Sequence, residues 1–182
     1  MQRRRFLELG LCSGAALALG GVPAVAMARP DVQEFHPVSD RDWDLGPLDR
    51  DAEDWRGIVS DDAWQILFEN GTEPRYSSPL NDNEADGTYV CAACHLPLFS
   101  SATQFESGTG WPSFWQPFRA HLDTRPDPGL FGERTEYHCI RCGGHQGHVF
   151  QDGPEPTGER WCNNGLALTF VPASESLPAL RG

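Results

Sequence analysis

Basic residues are scarce in this chain. Lys plus Arg number 14 against 26 Asp plus Glu, a formal net charge of −12. So acidic a surface repels phosphate backbones, which argues against general nucleic-acid binding. Long apolar runs are also wanting: a single stretch could concern a membrane, and it lies at the extreme N-terminus. No internal repeat is visible. At 182 residues there is room for one ordinary domain and a short appendage, not for two large cores. What is present suffices for a fold, because 39 % apolar and 10 % aromatic residues can build a packed core. The 19 Gly and 15 Pro point to a turn-rich body rather than a helical bundle.

The N-terminal stretch reads as an address. Arg3-Arg4-Arg5-Phe6-Leu7 fits the twin-arginine pattern R-R-x-F-L, and the apolar run Leu7 to Ala18 follows. Ala26-Met27-Ala28 supplies a small-x-small cleavage site. A transmembrane anchor is the weaker reading, since Gly10, Gly14, Gly20, Gly21 and Pro23 leave the run short and interrupted. A lipoprotein reading of Cys12 is weaker still, because Leu11 precedes it where a small residue is wanted. Residues 1–28 are thus expected to be a removable signal, sending the chain to the periplasm or another extracytoplasmic space. Removal takes away three Arg and one Glu, moving the charge from −12 to −14.

Residues 29–55 form an acidic, Pro- and Gly-punctuated segment with Trp43 and Trp55 as its large anchors, expected to be a surface-wrapping arm. Ser60 looks like an N-cap, with Trp64, Leu67 and Phe68 on one helical face and Asn70-Gly71 as the stop. Strand signals follow at Gly87–Val90, Thr135–His138 and the alternating Leu166–Val171. The body, residues 56–172, is therefore a small, mainly antiparallel β domain with short N-terminal helices. Residues 173–182 are left as a tail.

The strongest signal is in the cysteines. Cys91-Ala92-Ala93-Cys94 and Cys139-Ile140-Arg141-Cys142 are two C-x-x-C knuckles, each after an expected strand. Together they offer four thiolates at the spacing of a tetrahedral Zn²⁺ site. Two disulfides are the alternative in an exported protein, but adjacent C-x-x-C pairs make strained, easily reduced bridges. A closed four-sulfur site has no open position, so one zinc per chain is expected to hold the fold and do no chemistry. Export of an already folded chain would let the metal load in a reducing compartment.

Cys162 is then left over, as either a buried bystander or a reactive thiol. Arg160, two residues earlier on the same strand face, favours a thiolate. Gly143-Gly144-His145-Gln146-Gly147-His148 brings two imidazoles, either of which could donate a proton.

At this point the chain resembles a family. Gly87–Cys94, Phe105-Glu106-Ser107-Gly108-Thr109-Gly110-Trp111-Pro112-Ser113-Phe114, Gly147–Phe150, Asp152-Gly153-Pro154, Pro156-Thr157-Gly158 and Arg160–Asn164 are similar to the type B methionine sulfoxide reductases. The likeness runs from about Trp55 to Val171. It implies two small antiparallel sheets in a tent-like arrangement, and reduction of the R epimer of methionine sulfoxide in proteins. It further implies that Cys162 attacks the sulfoxide sulfur, and that Trp111 and Phe114 line the substrate. On the same grounds His145 and His148 orient it and protonate its oxygen, His148 above all. Asn164 bonds within the pocket and Arg160 tunes the thiolate. The products are methionine and a sulfenic acid on Cys162, recycled by a thioredoxin-like or other external thiol.

The chain departs from the family in five places. Thr109 stands where many members carry a resolving cysteine, so no internal disulfide partner is left outside the quartet. His95 replaces a usual Gly, Gln146 a Leu, Asn163 an Ile and Trp161 a smaller aromatic. Gln146 and Asn163 would make the pocket edge polar, and Trp161 would narrow it. Two other classes compete: a zinc-ribbon interaction module, which leaves Cys162 and the histidines unexplained, and a thiol–disulfide oxidoreductase, which wants a βαβ pattern that cannot be read here. One tight zinc with one free thiol fits the reductase alone.

Overall fold

A computed structural model describes residues 43–128 and 132–182. The expected signal, residues 1–28, and the first part of the arm lie outside the described residues. From Trp43 onward the arm lies against the body: Leu48 N–H donates to the Arg141 carbonyl at 2.8 Å, and Arg141 Nε donates to the Asp44 carbonyl at 3.0 Å. Trp55 is fully buried and stacks on Phe68 with ring centroids 6.1 Å apart.

Helix α1 spans Asp61–Glu69. Its start is the expected Ser60, whose hydroxyl accepts from Ala63 N–H at 3.2 Å, and its stop is Asn70, left-handed at φ 55°. Ala63, Trp64, Ile66 and Leu67 face the core while Asp61 and Asp62 face water at the positive end of the helix. The other early elements, Ala52–Trp55 and Pro79–Asp82, are single 3-10 turns.

Nine strands follow among the described residues: β1 (Gly87–Cys91), β2 (Pro97–Ser100), β3 (Gln104–Phe105), β4 (Ser113–Phe114), β5 (Leu122–Asp127), β6 (Arg134–Cys139), β7 (His145–Phe150), β8 (Arg160–Asn163) and β9 (Leu168–Pro172). They form two antiparallel sheets, β2-β1-β9 and β3-β4-β8-β7-β6-β5. The mainly β architecture of two antiparallel sheets is as expected, but the second sheet is broad. One strand expectation needs correcting. Leu166-Ala167 belong to a 3-10 turn, Gly165–Ala167, and the strand starts only at Leu168. The buried Glu73 carboxylate holds that turn by accepting from the N–H groups of Gly165 (2.6 Å) and Leu166 (3.0 Å), which overrides the alternation.

The sheets meet through aromatic rings. Phe114 of β4 stacks on Phe99 of β2 at 4.2 Å and takes Tyr89 of β1 edge-on at 5.0 Å. Phe99, Phe114, Tyr89 and Tyr137 are all fully buried. This packing fixes one face of the larger sheet to the core and leaves the other for chemistry.

Candidate active site and metal centre

The two knuckles are built alike. In the first, Cys91 N–H donates to the Leu96 carbonyl (2.8 Å) and His95 N–H to the Cys91 carbonyl (2.9 Å). In the second, Cys139 N–H donates to the Gly144 carbonyl (3.0 Å) and Gly143 N–H to the Cys139 carbonyl (2.9 Å). Closing so tight a turn requires a left-handed residue after the second cysteine, and φ is 64° at His95 and 70° at Gly143. That explains why Gly suits position 95. His95 tolerates the conformation with its Nδ1 placed 3.1 Å from the Ala179 carbonyl.

The four sulfurs all lie within 4.8 Å of one another, with Cys91–Cys142 at 3.6 Å and Cys94–Cys139 at 3.5 Å. A tetrahedral Zn²⁺ with bonds of about 2.3 Å needs sulfurs about 3.8 Å apart, so the set fits a metal ion. Electrostatics agree. Hydrogen bonding to Cys139 and the other sulfurs pushes the Cys91 and Cys142 thiols well up and Cys94 down. The group competes for one negative charge, and a divalent cation is what lets all four ionise together. No disulfide joins any of these cysteines.

The larger sheet lines up a row of polar side chains. Register pairs Arg125 with Glu136, Glu136 with His148, His148 with Cys162, and Cys162 with Ser113. Directly opposed residues in antiparallel strands share a face, so five strands contribute one side chain each to a single line. Cys162 is half-buried in it. Gly147, one residue before His148 and so outside the row, is required by the neighbouring strand, since a Cβ there would sit 1.9 Å from the Cys162 carbonyl oxygen.

Each histidine is held by a carboxylate. His145 Nδ1 donates to Glu136 Oε1 at 2.8 Å, which fixes its tautomer because a carboxylate only accepts. Glu136 is itself gripped by both arms of Arg125, at 2.7 and 2.9 Å. Burial alone would push Glu136 up, yet its bonds to Arg125 and His145 hold it below the usual carboxylate range. Burial lowers His145, so that ring is neutral near pH 7. His148 Nε2 donates to Asp127 Oδ2 at 2.8 Å, an oxygen shared with Arg134, and this leaves Nδ1 for a reacting group. The two rings stand edge to face at 5.4 Å.

With this geometry in place, comparison with known proteins is decisive. A family model described as the SelR domain matches residues 59–172. The chain belongs to the SelR family. A relative named peptide methionine sulfoxide reductase MsrB, from Leptospira interrogans serogroup Icterohaemorrhagiae serovar Lai (strain 56601), is 48 % identical over 124 residues, covering 68 % of this chain and 95 % of its own. Proteins of the same name from Methanosarcina mazei (45 % over 125 residues; 68 % and 89 %) and Thiobacillus denitrificans (48 % over 119 residues; 65 % and 90 %) are similar too.

In this SelR domain the remaining expected residues fall into three groups. Arg160 lies beside Cys162 as its position required, held by both Asp152 oxygens at 2.8 and 3.0 Å. Its influence does not prevail, however. Burial lifts the Cys162 thiol above its ordinary value, against the pull of Arg160 and of the Thr109 hydroxyl. Trp111 is half-buried, with Nε1 donating to the Glu73 carbonyl at 3.1 Å. Asn164 spends its amide on backbone, donating to the Gln146 carbonyl (3.1 Å) and accepting from Glu73 N–H (3.2 Å). It clamps two loops together behind the row.

Phe114 needs correction. It is fully buried in the aromatic core on the face opposite Cys162, so it cannot line a substrate surface. Trp161 shares that opposite face, packed edge-on against Tyr137 at 4.9 Å, and does not narrow the pocket. Nor are Gln146 and Asn163 at a pocket edge. Both are buried: Gln146 Nε2 donates to Cys91 Sγ at 3.6 Å, and Asn163 Oδ1 accepts from the Tyr137 hydroxyl at 2.7 Å. Sequence reasoning missed Glu136, Asp127 and Glu73 altogether. An acid at the centre of the expected strand Thr135–His138 was the available sign for Glu136; Asp127 and Glu73 had none. A cleft of about 680 Å³, lined among others by Ile58, Leu80, Leu166 and Phe170, includes neither Cys162 nor either histidine.

Proposed function

We infer the chemistry of this chain from the alignment of His148 with a half-buried, unpaired Cys162 in adjacent strands of one sheet. The chain reduces methionine sulfoxide in proteins, the activity its relatives are named for. Cys162 sulfur attacks the sulfoxide sulfur while His148 delivers a proton to the oxygen through Nδ1. Asp127 supports the imidazolium this requires, and Glu136 keeps His145 as a neutral hydrogen-bonding wall. Oxygen passes to the enzyme: thiol plus sulfoxide become sulfenic acid plus methionine. Trp111 offers an apolar, polarisable surface to the thioether as it forms. Two equivalents of an external thiol then return Cys162 to its thiol, with one disulfide and one water as products. The sulfur needs solvent access for that step, and Thr109 provides no internal alternative.

Cys91, Cys94, Cys139 and Cys142 hold one structural zinc, which keeps β1 and β6 together at their knuckles and takes no part in the redox step. The twin-arginine pattern and the small-x-small site support export of the folded chain to the periplasm or another extracytoplasmic space. Replacing Arg3 and Arg4 by Lys should then strand it in the cytoplasm, as fractionation would read; unchanged export removes that reading.

The central test is an assay of both sulfoxide epimers with Cys162→Ser beside the parent. The parent should consume only the R epimer and the variant neither. Turnover by the variant, or equal use of both epimers, overturns the assignment.

A further inference from the structure

The turn Ser107–Trp111 carries both Trp111 and Thr109, whose hydroxyl lies 2.8 Å from Ser107 Oγ, which in turn accepts from Ser113, the register partner of Cys162. Side chains within and beside it serve two of its own N–H groups, Glu106 Oε1 accepting from Gly108 N–H and Ser107 Oγ from Thr109 N–H at 3.4 Å. Gly108 and Gly110 both sit at positive φ, 70° and 89°, where glycine gives most freedom to the unconstrained chain. Its three successive carbonyls instead find partners in a segment some thirty residues earlier. Tyr76 hydroxyl donates to the Gly108 carbonyl at 2.9 Å, Arg75 Nε to the Thr109 carbonyl at 3.0 Å, and Tyr76 N–H to the Gly110 carbonyl at 2.7 Å. Arg75 also lies over the Trp111 ring, 5.1 Å from its centroid.

Tyr76 accepts strain in this arrangement. Its φ is 61°, a left-handed conformation that is an outlier for a bulky side chain, and its ring is 68 % exposed, so core burial does not repay it. The contacts with the turn are what hold it there. The backbone of Tyr76 and its ring edge come so near Gly110 that a Cβ at 110 would lie 3.0 Å from them.

We propose that Arg75 and Tyr76 are positioning residues, which grip the Ser107–Trp111 turn so that Thr109 and Trp111 are fixed beside Cys162 before substrate arrives. This rests on the proposed role of Trp111 as the substrate wall. Loosening the turn leaves the chemistry intact but lowers the fraction of molecules ready to bind, and apparent affinity falls by that fraction.

The experiment uses the metal-loaded chain, with Tyr76→Phe, which keeps the ring, with Arg75→Met, and with both. Each single change should raise KM for an oxidised peptide about threefold or more, the double change further, with kcat within twofold of the parent. A merely structural role would lower kcat with the active fraction and leave KM alone. Amide hydrogen exchange across residues 107–111 gives a second reading that needs no turnover. Protection there should drop in both variants while β7 and β8 stay as protected as in the parent. Unchanged KM, or unchanged protection in the turn, overturns the proposal. Loss of protection with no activity in the parent would instead remove the reductase reading and keep the brace.

Discussion

Among the described residues, five free cysteines occupy two regions under opposite rules. At the knuckles, four sulfurs crowd each other, mostly buried, in two turns whose backbone bonds are nearly superimposable. At Cys162 one sulfur stands alone, half-buried, flanked by a histidine, a serine and an arginine rather than by its own kind. The first arrangement makes ionisation collective and leaves no approach for a second reactant. The second leaves the thiol to be activated by its own surroundings. Ligand or nucleophile is thus decided by company and access, not by residue type.

The sharpest way to break the contrast is Cys94→Ser. Structural zinc is worth roughly 10–16 kcal/mol, as much as the whole stability of a typical domain. Metal content should fall and the cooperative melt should drop steeply or vanish; metal loss with an unchanged melting temperature would refute the structural assignment. Next in size is His148→Ala, expected to slow single-turnover reduction by roughly 10²–10⁴-fold with zinc retained. A rate within a few-fold of the parent would shift the proton to His145.

Gln146→Leu probes the link from the other side. Its amide donates to a sulfur of the quartet, so the substitution should weaken metal retention against a chelator by about tenfold, within the range for outer-sphere partners, and spare Cys162. A pH series on Cys162 is subtler. Because burial raises its pKa above the ordinary thiol value, alkylation should still be climbing at pH 9, and Arg160→Met should slow it at every lower pH. A plateau below pH 8 would contradict that. The smallest effect concerns His145, whose folded pKa is depressed by burial. The unfolded chain then takes up the proton more readily, so this contribution to stability is whole above about pH 6.5 and is lost as pH falls below it. His145→Gln should flatten that acid limb in chemical denaturation.

Much of both regions could be read in advance, for local reasons. C-x-x-C fixes a turn by its own spacing, and the helix from Ser60 to Asn70 is set by a hydroxyl three residues from the N–H it caps. Cys162 stood out by elimination. Phe114 and Trp161 misled because alternation says that neighbours face opposite ways without saying which face is the core; only stacking on Phe99 and Tyr137 answers that. Leu166 misled because a carboxylate 93 positions away ties up its N–H.

The sequence by itself determined the number of sulfurs, their pairing into knuckles, the capped helix and the acidic balance, since each depends on residues a few places apart or on plain counts. Tertiary structure alone decided the row from Arg125 to Ser113, the carboxylates chosen by each histidine, and the grip of Arg75 and Tyr76 on a distant turn. The row and the carboxylates depend on strand register, and the grip depends on two loops that meet only in space. A slip of one residue turns every side chain to the other face, and what sets the register is the packing of the whole aromatic core, which no short stretch of chain contains.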